Sequence, residues 1–349
     1  MVALKLIWHR ITHWEYWPFW LLYYPMAPVW LYYSIKARSL FFFNAANPGM
    51  KNGGMAMISK MEIYNLIPKE FIPKTLFFKK DEAAESALKT ILEAGINFPF
   101  IAKPDIGMKA FGVEKIHNKE EFQKYVQWTP SHFLVQELIP FQKEAGIFYV
   151  RRPGDPQGKI TGIVSKEFLS ITGDGHSTML ELIKSNPRSH LQLKVLEQKF
   201  GAKLQNVLKK DEKFILVPYG SHTRGAKFVD ISHKINPDLV KTIDGVCSRM
   251  NGFYYGRLDV LYNSYEELCE GKNFSIIEVN GAGGEATHIY DPKHSLAWAW
   301  REVARHWGML CEISIQNKRE GHPYLSFKDG RAMLKQNGTL QSQLRIDYS

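Results

Sequence analysis

Three side chains in the C-terminal half could hold a hard cation. Glu278 and Asn280 stand two apart in NFSIIEVN, an apolar run that reads as a strand, so both leave it on the same face. Asp259 sits in a second such run, GRLDVLY, and the short excursion from Asn263 to Lys272 returns one run alongside the other. Two carboxylates and an amide oxygen form an all-oxygen set suited to Mg2+ (or Mn2+) bridging phosphates. Three polar residues ending two apolar strands would be costly to bury without such a ligand; water-capped strand ends are the plain alternative. Arg257 shares a face with Asp259, where its guanidinium either meets developing negative charge or pairs with Asp259 itself. Lys103 closes the apolar run FPFIAKPD just before the glycine-containing loop DIGMKAFG (105–112). Small residues there let backbone N–H groups approach phosphate oxygens while the ammonium adds a point charge, unless the lysine is simply an exposed strand end.

The elements that must position these groups alternate from Met57 onward. A helix from Ser59 to Ile67 has to stop before Pro68. A second, Asp81 to Glu93, ends at Gly95, a natural C-cap. FPFIAKPD, FLVQELIP, GIFYVRR, KITGIVSKEF, GRLDVLY and NFSIIEVN read as strands, with MLELIKS and Pro237 to Arg249 helical between them. Thr178 and Glu181 have the spacing of a capping box. Strands that follow one another without long crossovers predict an α+β fold with mostly antiparallel sheet.

ISKMEIYNLIPKEFIPKT, FPFIAKPDIGMKAFGV, LVQELIPFQKEAGIFYV, GDGHSTMLELI, GRLDVLY and FSIIEVNGAGGEATH, in this order, resemble the ATP-grasp superfamily over residues 56–310. The resemblance is to the branch of D-alanine–D-alanine ligase and cyanophycin synthetase. It implies two α+β lobes, ATP and Mg2+ as cofactors, phosphate contacts from Lys103, and a nucleotide contact from Lys60, which without the resemblance would be an ordinary solvated helix residue. It further implies that Glu137, Leu138 and Ile139 form the hinge reading the adenine edge and that Glu144 accepts from the ribose hydroxyls, a vicinal diol suiting a carboxylate. Without the resemblance these two glutamates would be surface residues of a hairpin. Arg257 is assigned to the oxyanion of a tetrahedral intermediate, and Arg224, in GSHTRGAKFVD, to γ-phosphate or acyl-phosphate oxygens. His176 is a substrate contact or a plain loop histidine, and Gly281, Gly283 and Gly284 would let a substrate carboxylate approach backbone amides. The chain departs from the family in two places. Loop 105–112 is less rich in glycine and serine and adds Lys109, and fewer than sixty residues precede Lys60, replacing an N-terminal α/β domain. The second departure argues against D-alanine ligation.

Those leading residues are unusual. Eight of nine Trp lie near the two ends of the 349-residue chain, and Tyr16 to Ile35 holds no charge but three prolines. Lys5 and Arg10 precede this stretch, and Lys36 and Arg38 follow it. Trp and Tyr prefer the headgroup level, and basic flanks on both sides favour a shallow re-entrant hairpin on an anionic, cytoplasmic membrane face. Packing on the protein's own core or in a dimer interface is the alternative. The expected organisation is an aromatic segment (1–55), a catalytic domain (56–315) and a tail (316–349), with the Gly/Asn-rich Asn44 to Gly54 as a junction. Three scattered cysteines argue for a reducing compartment and against disulfides or structural zinc. The net charge of +10 suits a phosphate ligand or an anionic membrane, but dispersed lysines without interleaved aromatics argue against nucleic acid. The expected activity is ADP-forming ligation of a small or lipid-like carboxylate to an amine through an acyl phosphate. An ATP-grasp kinase or phosphotransferase and a non-catalytic nucleotide-binding membrane adaptor are the alternatives.

Overall fold

The computed structural model describes residues 2–107, 112–218, 220 and 222–347, so Lys109 lies outside the described residues. The chain is α+β with antiparallel sheets, as the strand pattern predicts. One lobe holds β1 (Thr75–Phe78), β2 (Phe100–Pro104), β3 (Glu114–Ile116) and β4 (Phe133–Glu137), ordered β1-β4-β2-β3. Helices Ala84–Glu93 and Lys119–Trp128 share a core with this sheet, filled by Ile91, Phe100, Phe122 and Phe133. The first of these helices starts three residues later than read from sequence, because a turn closed by Glu82 N–H on the Lys79 carbonyl occupies its expected first residues.

The second lobe holds β5 (Lys143–Val150), β6 (Lys159–Glu167), β9 (Lys227–Asp230), β10 (Tyr255–Tyr262) and β11 (Phe274–Asn280), ordered β11-β10-β5-β6-β9. Helix Pro237–Cys247 buries Leu239, Ile243 and Val246 in its core. β7 (Leu169–Thr172) and β8 (Lys213–Val217) pair separately and carry helices Met179–Ser185 and Leu193–Phe200. The capping box at Thr178 and Glu181 is formed.

The ends of the chain are woven into this frame. Helices Val2–Thr12, Phe19–Tyr23 and Ala27–Ala37 precede the lobes, and the latter two contribute to clusters shared with the long helix Leu296–Arg319. Trp30 meets Trp307 edge-on, Trp300 donates its indole N–H to the Leu22 carbonyl, and Trp14 donates to the His294 carbonyl. The aromatic segment is therefore no free-standing hairpin: one face is core. Its other face is exposed at Trp8, Phe19, Trp20, Tyr24, Leu31, Tyr32 and Ile35. Among the described residues no helix is long and apolar enough to cross a membrane.

The expected junction at 44–54 and the start of the expected tail are both built into the fold. Asn47 is fully buried and donates to the Gly53 and Tyr255 carbonyls while accepting from Tyr254 and Tyr255 N–H, locking loop 44–54 onto β10. The long helix runs unbroken through residues 315 and 316, and Asn317 donates to the Ala45 carbonyl at 2.8 Å.

Candidate active site

The two sheets approach each other where Lys103 of β2 reaches the Ile277 carbonyl of β11, at 3.4 Å. Helix Lys60–Leu66 begins there, with Ser59 as N-cap accepting from Glu62 N–H. The Asp105 carboxylate accepts from the Ser59 hydroxyl (2.9 Å) and Met61 N–H (3.0 Å), docking the start of the loop after β2 onto the helix N-terminus. Lys60 Nζ donates to the carbonyls of Pro104 (2.9 Å) and Asp105 (3.2 Å). Lys103 Nζ donates to the Tyr64 hydroxyl (2.7 Å) and Gln136 Oε1 (2.9 Å). Tyr64 in turn donates to the Ile277 carbonyl. That carbonyl is available because β11 bulges there: Glu278 pairs with Asp259 and Ile276 with Val260, leaving Ile277 as the extra residue. Burial lowers both lysine pKa values to about 8, and the Glu278 charge opposes the shift at each.

Cross-strand register puts Asp259 opposite Glu278 and Arg257 opposite Asn280, the neighbouring-strand arrangement expected from the short excursion between them. Glu278 is exposed and accepts no hydrogen bond among the described residues. Asn280 has a buried Nδ2 with no partner. Rotating that amide by half a turn places its oxygen there instead, a donor for a hard cation next to a free carboxylate. No three His, Cys, Asp or Glu side chains converge as a metal-holding group among the described residues. Glu278 and Asn280 are hard oxygen donors of the kind that suits Mg2+ or Mn2+ rather than zinc, and Asp259 stands across the strand pair from Glu278.

Asp259 is engaged within the fold. It takes a two-point contact from Arg257, with Nε at 2.9 Å and Nη2 at 3.1 Å, and also faces Lys166 Nζ at 3.2 Å. Lys166 donates to Glu144 Oε1 at 2.7 Å, and Gly220 N–H donates to Glu144 Oε2 at 3.1 Å. Arg257, Asp259, Lys166 and Glu144 thus form a buried chain of alternating charge. Burial works against each ion, yet Arg257 and Lys166 hold the Asp259 pKa below its ordinary value, and the two carboxylates raise that of Lys166. Arg257 Nη1 also donates to the Glu285 carbonyl (3.0 Å), so its guanidinium is fixed on two sides.

Lys166 escaped the sequence reading. A signal was present: in β6 the phase of Ile160, Gly162 and Val164 is buried, and Lys166 falls on it. Glu144 lies inside β5, which starts at Lys143, before the run GIFYVRR. Glu137 ends β4, its carboxylate accepting from Lys74 N–H (2.7 Å) and its own N–H donating to the Lys74 carbonyl (3.0 Å); Leu138 and Ile139 follow it out of the strand. Arg224 lies in the turn His222–Arg224, where its charge adds to burial in lowering the Lys199 pKa. Tyr219 and Ser221 beside it lie outside the described residues.

The glycines after β11 do different work from that expected. Ala282 and Gly283 N–H donate to the Gly53 and Gly54 carbonyls, and Gly284 N–H to that of Gly281. The amides of residues 282–284 are spent within the fold and are not offered to a substrate. Their smallness serves contact between loops: a Cβ on Gly54 would come within 2.5 Å of Gly281 Cα. GDGHST likewise folds on itself, with Asp174 accepting from His176 and Ser177 N–H and the His176 side chain exposed.

No family model matches the chain. In sequence it is similar to the glutathione biosynthesis bifunctional protein GshAB of Streptococcus mutans, 23% identical over 239 residues, covering 61% of this chain and 30% of that protein. It is also similar to cyanophycin synthetase of Synechocystis, 25% identical over 148 residues, covering 38% of this chain and 17% of that one. The chain thus spans less than a third of the length of either relative. Among solved structures, D-alanine–D-alanine ligase from Bacillus anthracis aligns with a TM-score of 0.43 at 14% identity, covering 78% of this chain and 72% of that one. Cyanophycin synthetase is also one of the two enzymes whose branch the ordered motifs resemble.

Proposed function

We propose that this chain is an ATP- and Mg2+-dependent carboxylate–amine ligase of ATP-grasp architecture. The observation that carries the reading is the junction of the two sheets. It sets buried Lys103 and half-buried Lys60, both of lowered pKa, beside an uncommitted carboxylate and an amide, with a doubly anchored arginine across the strand pair.

Lys60 and Lys103 bind phosphate oxygens from positions already fixed by carbonyl and amide acceptors. Glu278, Asn280 and Asp259 would hold Mg2+, which supplies charge neutralisation across the phosphates when bound. The substrate carboxylate attacks the γ-phosphorus, the bond to the β-phosphate oxygen breaks, and ADP leaves. An amine then adds to the acyl carbon. Arg257, held by Asp259 and the Glu285 carbonyl, stabilises the oxyanion, and collapse expels inorganic phosphate as the amine loses a proton.

The test is product analysis with Mg-ATP, a carboxylate mixture and hydroxylamine as trapping amine. ADP, phosphate and a hydroxamate in equal amounts support ligation. ADP with a phosphorylated hydroxyl compound and no free phosphate would make it a phosphotransferase. Tight Mg-ATP binding without ADP formation would leave only an adaptor.

We further propose that the chain attaches to an anionic membrane surface through the outer face of its first forty residues. Trp8, Trp20 and Tyr24 are 68%, 65% and 79% exposed, a poor use of large aromatics in water, and Arg10, Lys36 and Arg38 are exposed on the same segment. Flotation with phosphatidylserine vesicles tests this. A Trp8, Trp20 and Tyr24 triple serine variant that floats as well as the parent chain overturns it.

A further inference from the structure

A cavity at the junction of the sheets has a mixed lining: Lys60, Glu278 and Asn280 supply polar groups, and Met55, Met57 and Ile58 supply apolar ones. Asn337 and Leu340 of the C-terminal helix Phe327–Asp347 also line it. That helix is seated by its first turns. Met333 is buried, Phe327 meets Phe41 edge-on, and Gly330 lies so close that a Cβ there would come within 2.4 Å of the Phe41 ring. The adenine-reading segment 137–139 is absent from the lining, so the nucleotide reading leaves this apolar stretch without an occupant.

We propose that this cavity is the acyl-substrate subsite and that the substrate is a carboxylate carrying an apolar chain. Its head lies by Lys60, Glu278 and Asn280 and its chain along Met55, Met57 and Leu340. The inference rests on the ligase reading for the choice of head group; the apolar chain follows from the lining. Two methionines suit such a chain, because an unbranched thioether adapts to flexible hydrocarbon. A short carboxylate such as acetate would leave the apolar lining wet. The C-terminal helix is then a specificity element, seated against Phe41 of the N-terminal segment.

The probe is the homologous series acetate, butanoate, hexanoate, octanoate, titrated below micelle formation into the full chain saturated with Mg-ADP. Each methylene buried at about 0.8 kcal/mol corresponds to roughly fourfold in affinity. We expect that slope in the parent chain, a flattened series in Leu340→Asp, an intermediate one in Leu340→Ala, and Mg-ADP affinity within about twofold in all three. Affinity independent of chain length in the parent chain overturns the proposal, as does an unchanged slope in Leu340→Asp. Two further results would also overturn it: competition between octanoate and Mg-ADP, which makes the apolar lining a base pocket, and an equal slope for alkylamines, which removes the carboxylate. Failure of Mg-ADP to bind at all is a separate outcome that sinks the ligase reading. The series without nucleotide then still decides whether the cavity takes an apolar chain.

Discussion

Lys103 and Lys60 carry the plainest chemical expectation. Burial makes their charged forms costly, so the folded protein binds fewer protons than the unfolded chain between about pH 8 and the ordinary lysine range near 10.5. Two consequences have opposite signs. The nucleotide-free protein should gain stability as pH rises through that window, as urea titrations can measure. Phosphate binding favours the ammonium, so Mg-ATP binding near pH 8 should take up protons, read as buffer-dependent heats; Lys103→Ala should reduce that uptake. Lys103→Ala and Glu278→Gln should each cost roughly 10²–10³ in turnover with the fold intact, since each removes a fixed charge from a site organised around charge. Near-parental rates in both would remove this mechanism. Lys166 is different in kind. Lys166→Met leaves two buried carboxylates with one fewer cation and should cost roughly 3–5 kcal/mol. Adding Glu144→Gln should restore part of that loss, and a denaturant-measured double-mutant cycle gives the coupling.

At the scale of elements, the N-terminal helices are the main surprise. Tyr23 and Tyr290 both donate to Glu285 Oε1, at 2.6 and 2.9 Å, and the Glu285 carbonyl accepts from Arg257. Glu15 pairs with Arg188 at 2.7 Å and His222 at 3.2 Å, tying the same segment to the turn that carries Arg224. Deleting residues up to about Arg38 would bare Ala299, Val303 and Trp307 on the long helix and release these bonds. We therefore expect the truncated chain to aggregate, or to melt well below the full chain in a thermal scan, rather than remain a soluble domain that binds ATP. The exposed-face triple variant proposed for flotation should melt within a few degrees of the parent. Loss of membrane attachment and loss of stability are thereby separable on one segment.

At the scale of the whole molecule, nucleotide binding should require Mg2+ or Mn2+ and collapse with EDTA, because Glu278 and two lysines must act together across the sheet junction. Equal affinity with and without divalent metal would count against the oxygen set. Local rules sufficed for the shared face of Glu278 and Asn280, the β10–β11 pairing through a short excursion, the helix stop before Pro68 and the cap at Thr178, since each depends on neighbours a few residues apart. Tertiary packing decided the rest. Whether Trp14, Trp30 and Tyr23 meet lipid or protein depends on residues more than 260 positions away, and nothing in an aromatic-rich stretch distinguishes the two. The glycines after β11 read as a substrate cradle until the Gly53 and Gly54 carbonyls arrived to use the amides. Lys166 became part of the site only when β5, β6 and β10 lay side by side, and the C-terminal helix bounded a cavity only once Phe41 had seated it. Periodicity reports which face of an element is apolar; what covers that face is set by distant parts of the chain.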